Sequence, residues 1–272
     1  DPDISLYMDA KVTDATSHPN GVSALVQNGT SIETYRGAAI VLADGVRSSM
    51  RDALFELPFA KHSGFEAWRA MLPARLVPNS LPLEFTHLVL GKNRHAVLYP
   101  VRNAQHLNIV IVNKTRSREL SPDKNVQFGA LKPSLKNWSE ELVSVFEQAE
   151  EWSLWPLLQA PRARQWAKNN IVMIGDAAHG MVPFAAQGAA MAIEDAEVLA
   201  QQMAQADNPE TAFSAYQKLR MARVRKVEKL ASSNGQLYHM GWPFSAVRNL
   251  GMRVMPPKRL LARQAWIYNW RA

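Results

Sequence analysis

Two stretches of this chain follow one plan, and together they constrain the fold more than any other feature. In each, a short apolar run ends in an Asp/Gly pair and helix-compatible sequence follows. The first is Val41-Leu42-Ala43-Asp44-Gly45-Val46-Arg47-Ser48-Ser49-Met50-Arg51. The second starts at Ile171-Val172-Met173-Ile174-Gly175-Asp176-Ala177-Ala178-His179 and runs through Pro183, Gln187 and Gly188 to Glu194-Asp195-Ala196. Apolar strands that turn into helices belong to α/β arrangements, where ligands bind in the crevice outside the carboxyl ends of the strands. An Asp at such an end can accept hydrogen bonds from ligand hydroxyls, and a glycine lets ligand and backbone approach closely. The helix after Gln187-Gly188 offers free N–H groups and a positive dipole end. Ala185, Ala186, Ala189 and Ala190 leave room for something flat and large. Either segment alone could be an ordinary strand-to-helix turn. Both together, in this order, call for a ligand.

Several chemistries are excluded. Only 13 of the 272 residues are glycine and no two are separated by a single residue, so there is no G-x-G-x-x-G dinucleotide fingerprint. Gly175 and Gly180 have P-loop spacing, but Met181-Val182 follow where Lys and Ser/Thr are required. The seven histidines show no H-x-x-x-H or H-E-x-x-H pairing, so no metal site is expected. There is no G-x-S-x-G elbow, and Ser48-Ser49 has no evident base partner, which disfavours a hydrolase. The absence of cysteine removes disulfides, thiolate metal sites and cysteine nucleophiles, and is compatible with the reducing cytoplasm in which we place the protein. An apolar share of 47% with 20% charged residues fits one large globular domain or two small ones. The opening Asp1-Pro2-Asp3 is neither a signal peptide nor an initiator start, and reads as the interior of a longer gene product. Ile171 to Ile193 imitates a membrane span, but Asp176, His179 and Gln187 interrupt it, so stable membrane insertion is not expected.

Along the chain, residues 6–42 alternate in strand fashion, with Asn28-Gly29 as a hairpin turn between Ser23–Gln27 and Ser31–Arg36. Gly37 to Ala43 reads as a fully buried strand. Residues 55–135 carry strand-like runs at Gly64–Leu72, Leu83–Leu90, His95–Val101 and Leu107–Val112, predicting a mostly antiparallel sheet inserted into the first lobe. Residues 139–168 read as helical with Ser139 as cap, Ile171–Ile174 as a buried strand, and 187–205 as a long helix.

The formal charge is +7, but it is unevenly spread: from Gln217 onward twelve basic residues face one acid, Glu228. Nucleic acid, a membrane surface or an anionic cofactor would each suit such a stretch. The simpler reading is an amphipathic helix started at Asn208 and stopped at Asn234-Gly235, with Phe213, Tyr216, Leu219, Val224, Val227 and Leu230 inward and the Lys and Arg residues on a solvated face. Trp242, Trp266, Tyr268 and Trp270 then read as packing anchors of an extended tail.

The first segment resembles the D-G-x-x-S-x-x-R motif of single-component (class A) FAD-dependent aromatic hydroxylases, through Asp44, Gly45, Ser48 and Arg51. The second resembles their G-D-A-A-H-x-x-x-P-x-x-x-Q-G motif, through Gly175, Asp176, His179, Pro183, Gln187 and Gly188, continuing into Ile193-Glu194-Asp195-Ala196. Gly64-Phe65-Glu66-Ala67-Trp68-Arg69-Ala70, Tyr99-Pro100-Val101-Arg102 and the closing Trp266-Ile267-Tyr268 look like salicylate hydroxylase-like and hydroxybenzoate hydroxylase-like members. The resemblance spans nearly the whole chain. It implies an α/β (mixed α+β) fold: a p-hydroxybenzoate hydroxylase-like FAD-binding fold lacking its first βαβ unit, with an inserted, mostly antiparallel substrate-domain sheet. The expected divisions are 1–54 and 161–206 for the FAD-binding domain, 55–160 for the substrate domain, and 207–272 for C-terminal helices and tail.

The resemblance also implies roles. Asp176 would bind the ribityl chain of FAD, with Gly175 beside it. Gln187, Gly188, Ala186 and Ala189 would face the pyrimidine edge of the ring, and Pro183 would sit where the C4a-hydroperoxide forms. Asp44, Gly45 and Arg51 would lie near the pyrophosphate and the route of NAD(P)H, the co-substrate. His179 is given a structural role. His95 and Tyr99, on substrate-lobe strands with His87 and His106, are candidates for a phenol-activating base. The substrates would be an aromatic small molecule and O2, with no nucleic acid partner and with homodimerisation allowed. A quinone precursor or polycyclic substrate is the alternative within the fold. A non-catalytic remnant binding anionic polymers through the basic tail is the alternative outside it.

Overall fold

The computed structural model describes residues 1–271, except the side chains of Lys124, Pro257, Leu260 and Leu261. In chain order the elements are β1 (Ala10–His18), β2 (Gly21–Asn28), β3 (Ser31–Gly37), β4 (Ile40–Leu42), α1 (Ser49–Leu54), β5 (Lys61–Pro73), β6 (His87–Gly91), β7 (Arg94–Val101), β8 (His106–Lys114) and β9 (Asp123–Val126). There follow α2 (Phe128–Leu131), α3 (Glu140–Glu147), β10 (Trp152–Gln159), β11 (Ala167–Lys168), β12 (Ile171–Met173), α4 (Gly175–His179), α5 (Gly188–Gln205), α6 (Pro209–Tyr238), α7 (Phe244–Val254) and α8 (Pro257–Tyr268). They form two compact units. One comprises residues 1–61, 159–231 and 270–272; the other comprises 62–158 and 232–269. Residues 207–272 are thus divided between the two units.

In the first unit, β1, β2 and β3 form an antiparallel meander, and Asn28 pairs with Ser31 across the expected Asn28-Gly29 turn. Gly29 takes φ +59°, the left-handed conformation such a tight hairpin requires. A second sheet has the order β11-β12-β4, in which β12 and β4 run parallel with Val172 opposite Val41 and Met173 opposite Leu42. β12 is buried throughout, as its composition predicts. β4 is only three residues long and exposes Val41, so the reading of Gly37 to Ala43 as a fully buried strand is corrected. Leu42, Val172, Met173, Ala177, Met191 and Val198 are buried in this unit, with Phe213 and Tyr216 of α6 among them.

In the second unit, six strands lie in the order β6-β7-β8-β5-β10-β9. β6/β7, β7/β8, β5/β8 and β9/β10 pair antiparallel. Period-2 alternation puts Trp68, Ala70, Leu72, Ala96, Leu98, Leu107, Ile109 and Ile111 on one buried face. Leu142, Val145 and Phe146 of α3, at i, i+3 and i+4, close that core with Leu131 and Leu135. Ser139 caps α3 as expected, accepting from the Leu142 N–H at 3.4 Å.

Four local expectations fail for tertiary reasons. Helix over 139–168 holds only to Glu147, because Trp152 to Gln159 pair as β10 and Trp152 packs on Phe128 and Phe146. Pro156 is also unsuited to a helix interior. α6 does not stop at Asn234-Gly235; it continues to Tyr238, where His239 stacks on Phe65. The C-terminal tail is not extended, since α7 and α8 are helices, and Trp242 and Tyr268 are exposed instead of anchoring it. The basic face of α6 is not wholly solvated either, for Arg220 and Arg223 are buried and Leu219 is exposed. Ile171 to Ile193 is broken into β12, α4, a 3-10 turn and the start of α5, and no described helix is long and apolar enough to cross a membrane.

Candidate functional site

Parallel pairing of β4 with β12 carries both Asp/Gly turns to the same edge of the small sheet, and the Ile174 N–H donating to the Leu42 carbonyl at 3.0 Å extends that pairing to the brink of the turns. The two turns touch. A Cβ on Gly180 would fall 2.7 Å from Val46 Cγ2 and 2.9 Å from the Asp176 carbonyl oxygen, so only glycine lets them close. Gly175 adopts φ +56° and Gly45 φ +82°, backbone that side-chain-bearing residues rarely adopt.

Arg51 joins the turns from below. Its guanidinium is fully buried, donating to the carbonyls of Val46 (3.0 Å) and Ala177 (3.3 Å) and pairing with Asp52 at 2.8 Å. Ser48 caps α1 by accepting from the Arg51 N–H at 2.9 Å. The structure therefore gives Arg51 a bracing position within the protein, away from any surface a pyrophosphate could reach. Asp44 is exposed at the rim and Gly45 is half-buried beside it.

Across the edge, Asp176 is the one exposed residue in the otherwise buried run Gly175 to Gly180. Its Oδ1 lies 3.8 Å from where a Cβ on Gly188 would stand, so the carboxylate hangs over the start of α5. The first turn of α5 contains no acid and its N-cap makes no side-chain bond, so its leading N–H groups are left without a capping side chain and Asp176 is the carboxylate beside its positive dipole end. The approach to it is Pro183, Ala185, Ala186, Gln187, Gly188, Ala189 and Ala190, of which Pro183, Ala186, Ala189 and Ala190 are exposed and Gln187 is buried. Ala186 takes the left-handed conformation, φ +51°, at the end of the Pro183–Ala185 turn. For a residue bearing a Cβ this costs on the order of 1 kcal/mol, held by its surroundings. The result is a flat ledge without side-chain bulk, an exposed carboxylate on one flank and unsatisfied donors on another. This donor set fits the ribityl hydroxyls and the electron-rich pyrimidine edge of a flavin.

A buried charge network lies behind the ledge, and sequence reasoning missed it. Asp195, wholly buried in α5, accepts from the Gly175 N–H (2.9 Å), from His179 Nε2 (2.5 Å) and from Arg220 Nε (2.7 Å). Burial alone would raise the Asp195 carboxyl, but its hydrogen bonds and charge interactions with His179, Arg220 and Gly175 outweigh it and hold the pKa low. Glu194 beside it takes Arg220 at 2.7 Å and a two-pronged grip from Arg223 at 2.6 and 2.5 Å. Trp270 covers both guanidinium groups at 4.8 and 4.7 Å from its ring centre. The signal for this network is Glu194-Asp195 in α5 together with Arg220 and Arg223 one helical turn apart. His179 thus has the structural place expected of it.

His95 and Tyr99 lie in the second unit, and the structure separates their circumstances. His95 is buried in β7, with Nδ1 2.8 Å from Nε2 of His239. Burial, followed by the charge of His239, pushes its pKa down to about 3. Tyr99 points to the open face of the sheet, opposite Asn108, in one row with Met71. Val97, Val110 and Arg69 form the next row. The core-facing neighbours of these rows are Leu98, Ile109 and Ala70, so the open face is mixed apolar and polar. Arg69 and Asn108 also border a cleft of about 480 Å³ that His106 and Ser153 share. Period-2 alternation through β5, β7 and β8 was the available signal for this face.

Residues 1–231 match the family model described as FAD binding domain. The chain is 27% identical over 267 residues to 3-hydroxybenzoate 6-hydroxylase 1 of Aquipseudomonas alcaligenes, covering 98% of this chain and 67% of that protein. It is 31% identical over 269 residues to a 3-amino-4-hydroxybenzoate 2-monooxygenase of Streptomyces platensis, covering 97% and 65%. It therefore spans about two thirds of the length of these relatives. Among solved structures, a salicylate hydroxylase substrate complex superposes with a TM-score of 0.76 at 22% identity, covering 96% of this chain and 68% of that one. Klebsiella pneumoniae HpxO complexed with FAD and uric acid superposes at 0.79 and 19%, covering 93% and 64%. The fold is that of the p-hydroxybenzoate hydroxylase-like flavoproteins.

Proposed function

Because this chain belongs to the FAD binding domain family, we propose that it supplies the flavin-ring and substrate side of an NAD(P)H-consuming, FAD-dependent monooxygenase that hydroxylates an aromatic carboxylate or phenol. The observation that carries the reading is the ledge at Asp176 and Gly188, where a carboxylate and an uncapped helix N-terminus converge on a surface stripped of side chains. When bound, FAD supplies the redox and oxygen-activating chemistry.

The residues of this chain orient and bias that chemistry. Asp176 accepts hydrogen bonds from ribityl hydroxyls. The leading N–H groups of α5, reached past Gln187, Gly188 and Ala189, favour negative charge at the ring's pyrimidine edge. Gly175 and Ala186 shape the backbone around the ring, and exposed Pro183 flanks it without offering a proton to the reacting centre. Asp44 and Gly45 border the cofactor's approach, while Arg51 braces them. On the open face of the second unit, Val97, Val110 and Met71 suit an aromatic ring, and Tyr99, Asn108 and Arg69 suit its hydroxyl and carboxylate. Tyr99 is favoured over His95 as the group that handles the phenol proton, because His95 is buried and resists protonation.

The test is to supply FAD to the protein and titrate 3-hydroxybenzoate, salicylate and related phenols while following NAD(P)H oxidation and hydroxylated product. Yellow holoprotein with oxidation stimulated by one of these compounds is expected. A colourless protein that stays folded without FAD, or oxidation that no aromatic compound stimulates, would overturn the reading. Asp176→Ala should weaken FAD retention, and Tyr99→Phe should change turnover while leaving FAD retention intact.

A further inference from the structure

The flavin site draws on Arg220 and Arg223 but leaves the rest of the basic C-terminal stretch unused. Part of that remainder lies on α7 and α8. The polarity of α7 is inverted relative to an ordinary surface helix. Arg248 is buried, donating to the carbonyls of Leu237 (3.0 Å) and Tyr238 (3.2 Å), whereas Phe244, Val247, Leu250 and Val254 are 68, 70, 64 and 71% exposed. Spaced i, i+3, i+6 and i+10, these four side chains share one helical face. Trp242 extends it at 85% exposure. Arg253 within α7 and Lys258, Arg259 and Arg263 in α8 are all exposed, and residues 232–269 contain no Asp or Glu.

An exposed apolar stripe with exposed cations in a segment that has no acid of its own sets two demands on a partner: apolar depth and negative charge. A second copy of the same face would satisfy the first and violate the second by bringing cations together. Nucleic acid would satisfy the charge and leave Val247, Leu250 and Val254 in water. An anionic lipid surface meets both, because an amphipathic helix with basic flanks lies in the plane of the headgroups with its apolar side beneath them. We propose that α7, with the start of α8, is an interfacial segment that docks this chain peripherally on membranes carrying anionic lipid headgroups. The proposal is independent of the flavin reading.

Flotation with phosphatidylcholine vesicles, and with the same vesicles containing phosphatidylglycerol, tests it. More than about tenfold preference for the anionic vesicles is expected, falling about fivefold for each exposed cation neutralised in Arg253→Gln and Lys258→Gln. Leu250→Glu should abolish flotation while leaving the circular-dichroism spectrum and FAD retention unchanged. If Leu250→Glu fails to fold, the two cation variants still decide the matter. Equal or absent flotation with both vesicle types overturns the proposal. So does a concentration-dependent dimer, seen by sedimentation, that Leu250→Glu dissociates while the parent protein does not float. Salt-sensitive retention of duplex DNA that Leu250→Glu leaves intact, again without flotation, overturns it as well.

Discussion

The two units solve the same problem of stability with different chemistry. Behind the turns of the first unit, buried Asp195, His179, Arg220 and Arg223 form a hydrogen-bonded cluster of ionisable groups with half-buried Glu194. Behind the sheet of the second unit, the core is Leu98, Ile109, Ile111, Phe146 and Trp152 with no charge among them. Apolar packing is non-directional and tolerates small rearrangements. A carboxylate that accepts from Gly175, His179 and Arg220 at once sets the direction of each donor. The directional solution stands where the Asp176 turn must be held in one geometry; the other stands where a flat support is needed.

The largest test of that contrast is Arg220→Ala, which leaves Asp195 buried and Glu194 half-buried with reduced compensation. A loss of about 3–5 kcal/mol is expected in chemical denaturation, with weaker FAD retention. A loss below about 1 kcal/mol would mean that the network does not brace the turn. Leu98→Ala in the second unit should cost about 2–5 kcal/mol by cavity formation and leave the affinity of the remaining folded protein for FAD unchanged.

Titration should separate the units by pH. His95 and His239 have folded pKa values pushed down to about 3 and about 4, His95 by burial and then His239, and His239 by burial and then Lys114. The unfolded chain therefore binds more protons between about pH 6.5 and 4, so the stability of the second unit is full above that window and falls by about 1–3 kcal/mol through it. Asp195 has a depressed pKa, so its contribution persists through the same window and is lost only below the usual carboxylate range. Melting monitored at several pH values should show the decline between pH 6.5 and 4, and His95→Phe should flatten it. An unchanged profile in that variant would remove the histidine pair as its cause.

The smallest effect comes from two helix caps. Ser48 is buried and bonds at 2.9 Å, whereas Ser139 is exposed and bonds at 3.4 Å. Ser48→Ala should cost about 1–2 kcal/mol and Ser139→Ala about 0.5 kcal/mol, read as denaturation midpoints. Equal costs would show that burial does not strengthen the first cap.

What was legible in the amino-acid order was local. Asn28-Gly29 specifies a hairpin through its own backbone preferences, Ser139 specifies a helix start through its own hydroxyl, and the alternation through β5, β7 and β8 shows which side chains face the core. The two Asp/Gly motifs announced a ligand because small residues and an unneutralised helix start are chemical statements in themselves. Other features depended on partners far along the chain. Arg220 read as a solvated cation until α6 brought it to Asp195, and Arg51 read as a ligand contact until it was found buried against the Ala177 carbonyl. Trp152 to Gln159 read as helix until β9 offered a strand to pair with, and α6 outran Gly235 through the packing of His239 on Phe65. Propensity and turn chemistry act within a few residues and so survive in the sequence. Whether a charge is buried, and which apolar face stays in water as on α7, is decided by what the fold sets opposite it.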